Sequence, residues 1–158
     1  MISILALDLG STMGWAVRDR GGAIVSGFQK FTANRYEGGG MRFVRMLRWL
    51  DDILEVGIDQ VYFEEVRRHL GVNAAHIYGG FMANLTSRCE SANPKIPYSG
   101  VPVGTIKKFM TGKGNASKED MISAVCKRGF VVSNDNEADA LGLLFYAISL
   151  GHDKCGQA

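Results

Sequence analysis

Residues 5–12, LALDLGST, decide how the chain is to be read, because an apolar run there carries one acid, Asp8, and then breaks at Gly10. A carboxylate on a buried strand is costly unless it is paired or holds a cation, so Asp8 needs a chemical reason. Two chemistries use an acid followed by a glycine hairpin. One cradles the phosphates of a nucleotide; the other presents the carboxylate to a divalent metal.

Length separates them. The 158 residues, 46% of them hydrophobic, suffice for one domain with a proper core, here taken as 1–158. They leave no room for the two domains that the sugar-kinase and actin-like ATPases close around a nucleotide, although a similar Asp-Leu-Gly-Ser/Thr string opens their phosphate hairpin. Net charge is only +2, but it is unevenly spread. Residues 1–60 hold seven basic and seven acidic side chains, residues 61–130 ten and five, and residues 131–158 one and four. A basic middle beside acids suits a protein that holds phosphates near a metal. Cys89, Cys126 and Cys155 show no CxxC spacing and an odd total, which reads as reduced and structural. No apolar stretch approaches a membrane span or a signal-peptide core, so the expected location is the cytoplasm, with no membrane partner.

Residues 2–9 read as a nearly continuous apolar strand, Met13–Arg18 as a second and Ala23–Phe31 as a third, joined by short glycine-containing turns as an antiparallel meander. Met41–Glu55 has helical periodicity, with Arg42, Arg45, Arg48, Asp51, Asp52 and Glu55 on its wet face. Gln60–Val66 makes a fourth strand, reached by a crossover long enough for parallel pairing with the first. A helix over Asn73–Ser91 carries Gly79-Gly80, which predicts close packing, and Lys95–Val103 is a fifth strand candidate. Helices follow over Gly104–Met110, over Ser117–Arg128 with Ser117 as N-cap, and from about Glu137 to Leu150. This order predicts a single α/β domain with a five-stranded mixed sheet, an antiparallel meander plus parallel strands, flanked by helices.

Acids recur where charge should be avoided: Asp8 near the end of the first strand, Glu64 and Glu65 at the end of the fourth, and Asp135, Glu137 and Asp139 around the start of the last helix. If the first and fourth strands are parallel neighbours, Asp8 meets one of the two glutamates. Alternation allows only one of Glu64 and Glu65 to face the site and leaves open which. Gathered carboxylates repel one another unless a cation is present. Mg²⁺ prefers oxygen ligands, and two ions about 3.5–4 Å apart can promote phosphodiester cleavage by water.

Four stretches, LALDLGSTMGWAV, VYFEEV, VGTIKKFMTGKGNASKEDM and NEADALGLLFYAI, resemble in order and spacing the RuvC family of Holliday junction resolvases, especially its phage-type members, within the RNase H-like superfamily. The resemblance implies an RNase H-like fold and a metal-dependent endodeoxyribonuclease that cuts four-way DNA junctions by paired nicks, working as a homodimer in a bacterial or phage-infected cell. It implies Asp8, Glu64 and Asp139 as metal ligands, with two Mg²⁺ ions expected and Mn²⁺ as a substitute, and it decides for Glu64 over Glu65. Lys118 matches a lysine near the scissile phosphate, while Lys107 and Lys108 match a basic stretch on the DNA backbone, to which Lys113 is added. The family's acid or histidine three residues before the last aspartate is Asn136 here, so Asp135, on the same helical face as Asp139, is the expected fourth ligand, with Asn136 and Glu137 as alternatives. Arg67 and Arg68, with His69, are expected at the strand crossover, Arg67 standing where bacterial relatives carry a stacking aromatic. The apolar strip of Ile77, Phe81 and Leu85 with Gly80 is the candidate subunit contact. Two other readings stay open: an RNase H-like nuclease acting on RNA or RNA–DNA hybrid, and a weakly catalytic junction-binding protein.

Overall fold

The computed structural model describes residues 1–152, with the side chain of His152 excluded; Cys155 lies outside the described residues. The described part holds strands β1 (Ile4–Asp8), β2 (Thr12–Arg18), β3 (Ile24–Lys30), β4 (Gln60–Glu65) and β5 (Tyr98–Pro102). Its helices are α1 (Met41–Glu55), α2 (Val72–Ser91), α3 (Val103–Thr111), α4 (Lys118–Lys127) and α5 (Asp135–His152). The strands form one sheet in the order β3-β2-β1-β4-β5. The β1–β2 and β2–β3 pairs are antiparallel, the β1–β4 and β4–β5 pairs parallel. This is the mixed five-stranded sheet that the sequence pattern predicts.

Alternation along β1 builds both faces. Leu5, Leu7 and Leu9 point into a core shared with Met46 and Leu50 of α1 and Phe81 and Leu85 of α2, while Ile4 and Ala6 join a second core under Ile106, Met121, Leu141 and Leu144 of α3, α4 and α5. The sheet is therefore the middle of three layers. Helix α1 is one-sided, with Met46 and Leu50 buried and Arg48 and Asp52 exposed. Helix α5 is apolar nearly all round and is accordingly the most enclosed, with Ala138, Ala140, Leu141, Leu143 and Leu144 fully buried. Its small residues bring it close to its neighbours: a Cβ on Gly142 would lie 2.8 Å from the Met121 side chain.

Two expectations change. The strip of Ile77, Phe81 and Leu85 belongs to the chain's own core: Phe81 and Leu85 are fully buried, Ile77 packs against the same cluster, and a Cβ on Gly80 would collide with the Phe43 ring of α1 at 2.3 Å. Phe81 and Leu85 are therefore not available as a subunit contact, while Ile77 is only partly covered and lines a cleft with Leu9 and His69. The fifth strand is also shorter than the expected Lys95–Val103. Ile96 donates its amide to the Cys89 carbonyl at 3.1 Å and Lys95 pairs with Glu90 at 2.9 Å, which ties these residues to the end of α2 instead of to β4.

Candidate metal centre

Parallel pairing puts the carboxyl ends of β1 and β4 side by side, and the register fixes which acids meet. Ala6 pairs with Tyr62 and Leu7 with Phe63, so the next step brings Asp8 beside Glu64, both on the face covered by α5. Glu65 points to the other face and holds Arg67 at 3.2 Å. The choice that alternation alone leaves open is thus made by strand register. Helix α5 adds Asp139, and carboxylate oxygens of Asp8, Glu64 and Asp139 all lie within 4.8 Å of one another.

The end of β4 is held by a residue the sequence gives no reason to single out. The Tyr78 hydroxyl, reaching from α2, donates to the Glu64 carbonyl at 2.8 Å and accepts the Val66 amide at 3.1 Å. Its ring also meets His69, with centroids 4.9 Å apart. Tyr78 therefore anchors the backbone that carries Glu64 and begins the loop of Arg67 and Arg68.

Helix α5 starts at Asp135, two residues before the expected Glu137, because Asn134 caps it: Asn134 Oδ1 accepts the Glu137 amide at 2.9 Å. The pattern Asn134-x-x-Glu137 is a legible capping signature. From that start Asp135 and Asp139 share a face, whereas Glu137 turns away and is buried against Ser26 of β3. Asp135 is not one of the three carboxylates that meet; its Oδ2 holds Lys118 Nζ at 2.5 Å. Asn136 rests its backbone on Gly14 of β2, where a Cβ would come within 1.8 Å of the Asn136 carbonyl oxygen.

The electrostatics follow from this crowding. Burial, then the charges of Glu64 and Asp139, raise the Asp8 carboxyl well above the usual carboxylate range. Burial and the Asp139 charge push Glu64 up to about 7, against a hydrogen bond with Asp8 and the nearby positive charge of Lys107. Asp139 rises to about 6, chiefly through burial, with Lys107 and Lys118 opposing. Asp135 is lowered by its hydrogen bond to Lys118. Three acids that resist ionising together form a donor set that a hard divalent cation fits, since its charge would remove the repulsion and oxygen is its preferred ligand.

Of the expected basic residues, two lie beside this centre. Lys107 and Lys118 lie near enough to act electrostatically on the acids, and Lys108 points outward from the last turn of α3. Lys113 lines a cleft of about 360 Å³ between α3 and α4, together with Lys127 and Arg128, which the sequence reading did not single out. Arg67 and Arg68 are exposed beyond β4. At the opposite end of the sheet a larger cleft of about 720 Å³ is lined by charges that already pair, Arg20 with Asp59 at 2.6 Å and Arg88 with Asp51 at 2.5 Å. Among the described residues, carboxylates close enough to share one cation are those of Asp8, Glu64 and Asp139.

No protein-family model matches the chain, and no curated protein matches it. Solved structures do. RuvC of Thermus thermophilus in complex with a Holliday junction substrate superposes with a TM-score of 0.74 at 20% identity, over 93% of this chain and 95% of that one. A second Thermus thermophilus RuvC structure gives 0.71 at 20% identity, over 94% and 96%. The yeast mitochondrial Holliday junction resolvase gives 0.58 at 9% identity, over 89% and 76%. The fold is the RuvC-type, RNase H-like fold along nearly the whole described length.

Proposed function

We propose that the chain is a divalent-metal-dependent endodeoxyribonuclease that resolves four-way DNA junctions by paired nicks. The observation that carries this reading is the convergence of Asp8, Glu64 and Asp139 within 4.8 Å, from β1, β4 and α5, on a fold shared with two junction resolvases. Those three carboxylates would hold the metal, with Asp135 as a fourth at the margin once a phosphate competes for Lys118. The chemistry that a bound pair of Mg²⁺ ions supplies, or Mn²⁺ in their place, is Lewis-acid help to an attacking water and to the leaving oxygen.

The chain's own residues do the rest. Lys118, paired with Asp135, would neutralise charge developing on the phosphate under attack, and Lys107 would add positive charge beside Glu64 and Asp139. Lys108 and Lys113 on the outer slopes, and Arg67 and Arg68 beyond β4, would position the flanking backbones by charge. Arg67 can also stack on an unpaired base at the crossover. Symmetric cutting of a nearly two-fold substrate calls for two such centres, hence a homodimer. Apart from Cys155 and its neighbours, which are not described, no helix is long and apolar enough to cross a membrane.

The test is incubation of the chain with labelled four-way junction, linear duplex and RNA–DNA hybrid, in Mg²⁺ and in chelator. Paired nicks confined to the junction, present only with the ion, are expected. Cutting of the hybrid with the junction left intact moves the substrate to RNA. Tight junction binding without cleavage, unaltered in Asp8→Asn, leaves a binding protein.

A further inference from the structure

The turn that brings Asp139 to the candidate metal centre also carries Glu137, which goes elsewhere. Glu137 is 5% exposed and both its carboxyl oxygens are engaged. Oε1 accepts from Ser26 Oγ of β3 at 2.7 Å, and Oε2 accepts from the Ser133 backbone amide at 2.8 Å. One side chain therefore joins the sheet, the loop leading into α5 and the first turn of α5. Stability gives one reason for this arrangement, since an apolar pair at positions 26 and 137 would leave the Ser133 amide without its acceptor. Position gives a second. Residues 137 and 139 point about 200° apart on a helix, so Glu137 holds the turn from the side opposite Asp139.

The neighbouring contact leaves that turn little freedom. Gly14, the partner of Asp8 across β1 and β2, lies directly beneath the Asn136 peptide, so the start of α5 sits on the strand next to Asp8. A small lift or rotation there would carry the Asp139 carboxylate away from Asp8 and Glu64. Shared coordination tolerates only about 0.5 Å of such movement.

We propose that Glu137 is a positioning residue: through Ser26 and Ser133 it fixes the height and rotation of the α5 amino terminus, so that Asp139 meets Asp8 and Glu64, and it gives no oxygen to the metal itself. This rests on the metal reading of the acid cluster. Mn²⁺ binding to the full chain without DNA, followed by electron paramagnetic resonance of the free ion, tests it, with urea unfolding and junction nicking measured in parallel. Glu137→Gln keeps the tether, because the amide oxygen can accept from Ser133 and the amide nitrogen donate to Ser26, and its Mn²⁺ affinity is expected within about threefold of wild type. Glu137→Ala removes the tether and is expected to weaken Mn²⁺ binding about tenfold or more, with Ser26→Ala in between. Ser26→Ala, which retains the Ser133 contact, reads the tether if Glu137→Ala does not fold. Equal loss in Glu137→Gln and Glu137→Ala would make the carboxylate a ligand and overturn the proposal, as would Mn²⁺ affinities of folded Glu137→Ala and Ser26→Ala indistinguishable from wild type. A wild-type chain that binds Mn²⁺ but leaves junctions uncut overturns the nuclease reading and not this comparison, whereas one that takes up no Mn²⁺ overturns both.

Discussion

At the scale of single residues, the candidate metal centre is a place where ionisation is costly. Asp139 and Glu64 ionise at about 6 and about 7, and Asp8 is raised as well, all chiefly through burial. A folded chain with raised carboxyl values binds protons more tightly than the unfolded chain, whose carboxyls ionise near pH 4. Stability is therefore greatest below about pH 4 as far as these groups are concerned, and it declines as pH rises through the folded values at about 6 and about 7. Neutral substitution should remove the penalty. Asp139→Asn is expected to stabilise the metal-free chain by about 1–3 kcal/mol near pH 7.5, with the gain shrinking toward pH 5, as read by urea unfolding in chelator. If the three acids hold the ion as proposed, added Mn²⁺ reverses the ranking, because only wild type keeps all three carboxylates. A variant less stable than wild type at both pH values would show that the three acids do not repel as their geometry implies.

At the scale of elements, what was legible in the sequence is what rests on local signals and on crossover length. The α1 bounds, the Ser117 cap with its reciprocal Asp120 bond, and the parallel return of β4 follow from periodicity, capping chemistry and crossover length. What depends on how side chains of two elements meet was not legible in the pattern, and only the family resemblance points to Glu64. The choice of Glu64 over Glu65 needs the phase of β4 against β1, which alternation within either strand does not contain. The Phe81 and Leu85 strip has the same spacing whether it faces α1 or another subunit, so only the packed structure shows that it is core. Tyr78 carries no local signal, because its role is a hydrogen bond to a strand across the layer. The closest such meeting of elements, α5 on β2, yields a prediction of its own. Gly14→Ala puts a Cβ 1.8 Å from the Asn136 carbonyl oxygen and 2.3 Å from its carbon, and neither backbone atom can rotate away. The helix start must lift, at about 1–3 kcal/mol or more by urea unfolding. Mn²⁺ affinity should fall with it, and an unchanged affinity in a folded Gly14→Ala chain would mean that the acids do not depend on this contact.

At the scale of the whole molecule, the carboxylates of Asp8, Glu64 and Asp139 converge from β1, β4 and α5 with Lys107 and Lys118 beside them, and other exposed cations are carried by α3, the loop after it and the loop beyond β4. On the proposed function, such a separation would let one surface hold a polyanion while its centre holds a cation, and binding would then be a matter of counterion release. Affinity for a four-way junction, measured with the cleavage-deficient Asp8→Asn chain, should therefore fall linearly in log-log terms as salt rises, with a slope of about −0.9 for each phosphate contacted. The cations are not equivalent in this respect. Lys108 and Lys113 are exposed and belong to none of the ion pairs formed among the described residues, so replacing either with alanine should reduce the slope by about 1 and leave the cleavage rate at saturating junction nearly intact. Lys118 is held against Asp135 beside the acids, and its replacement should lower that rate far more than it lowers the affinity. Arg67 already faces Glu65, so its loss frees a competing acid and should weaken binding without a full unit of slope. A junction affinity indifferent to salt, or one lowered equally at every salt concentration by Lys108→Ala and Lys113→Ala, would place the DNA on a different face from the one that the acids and lysines share.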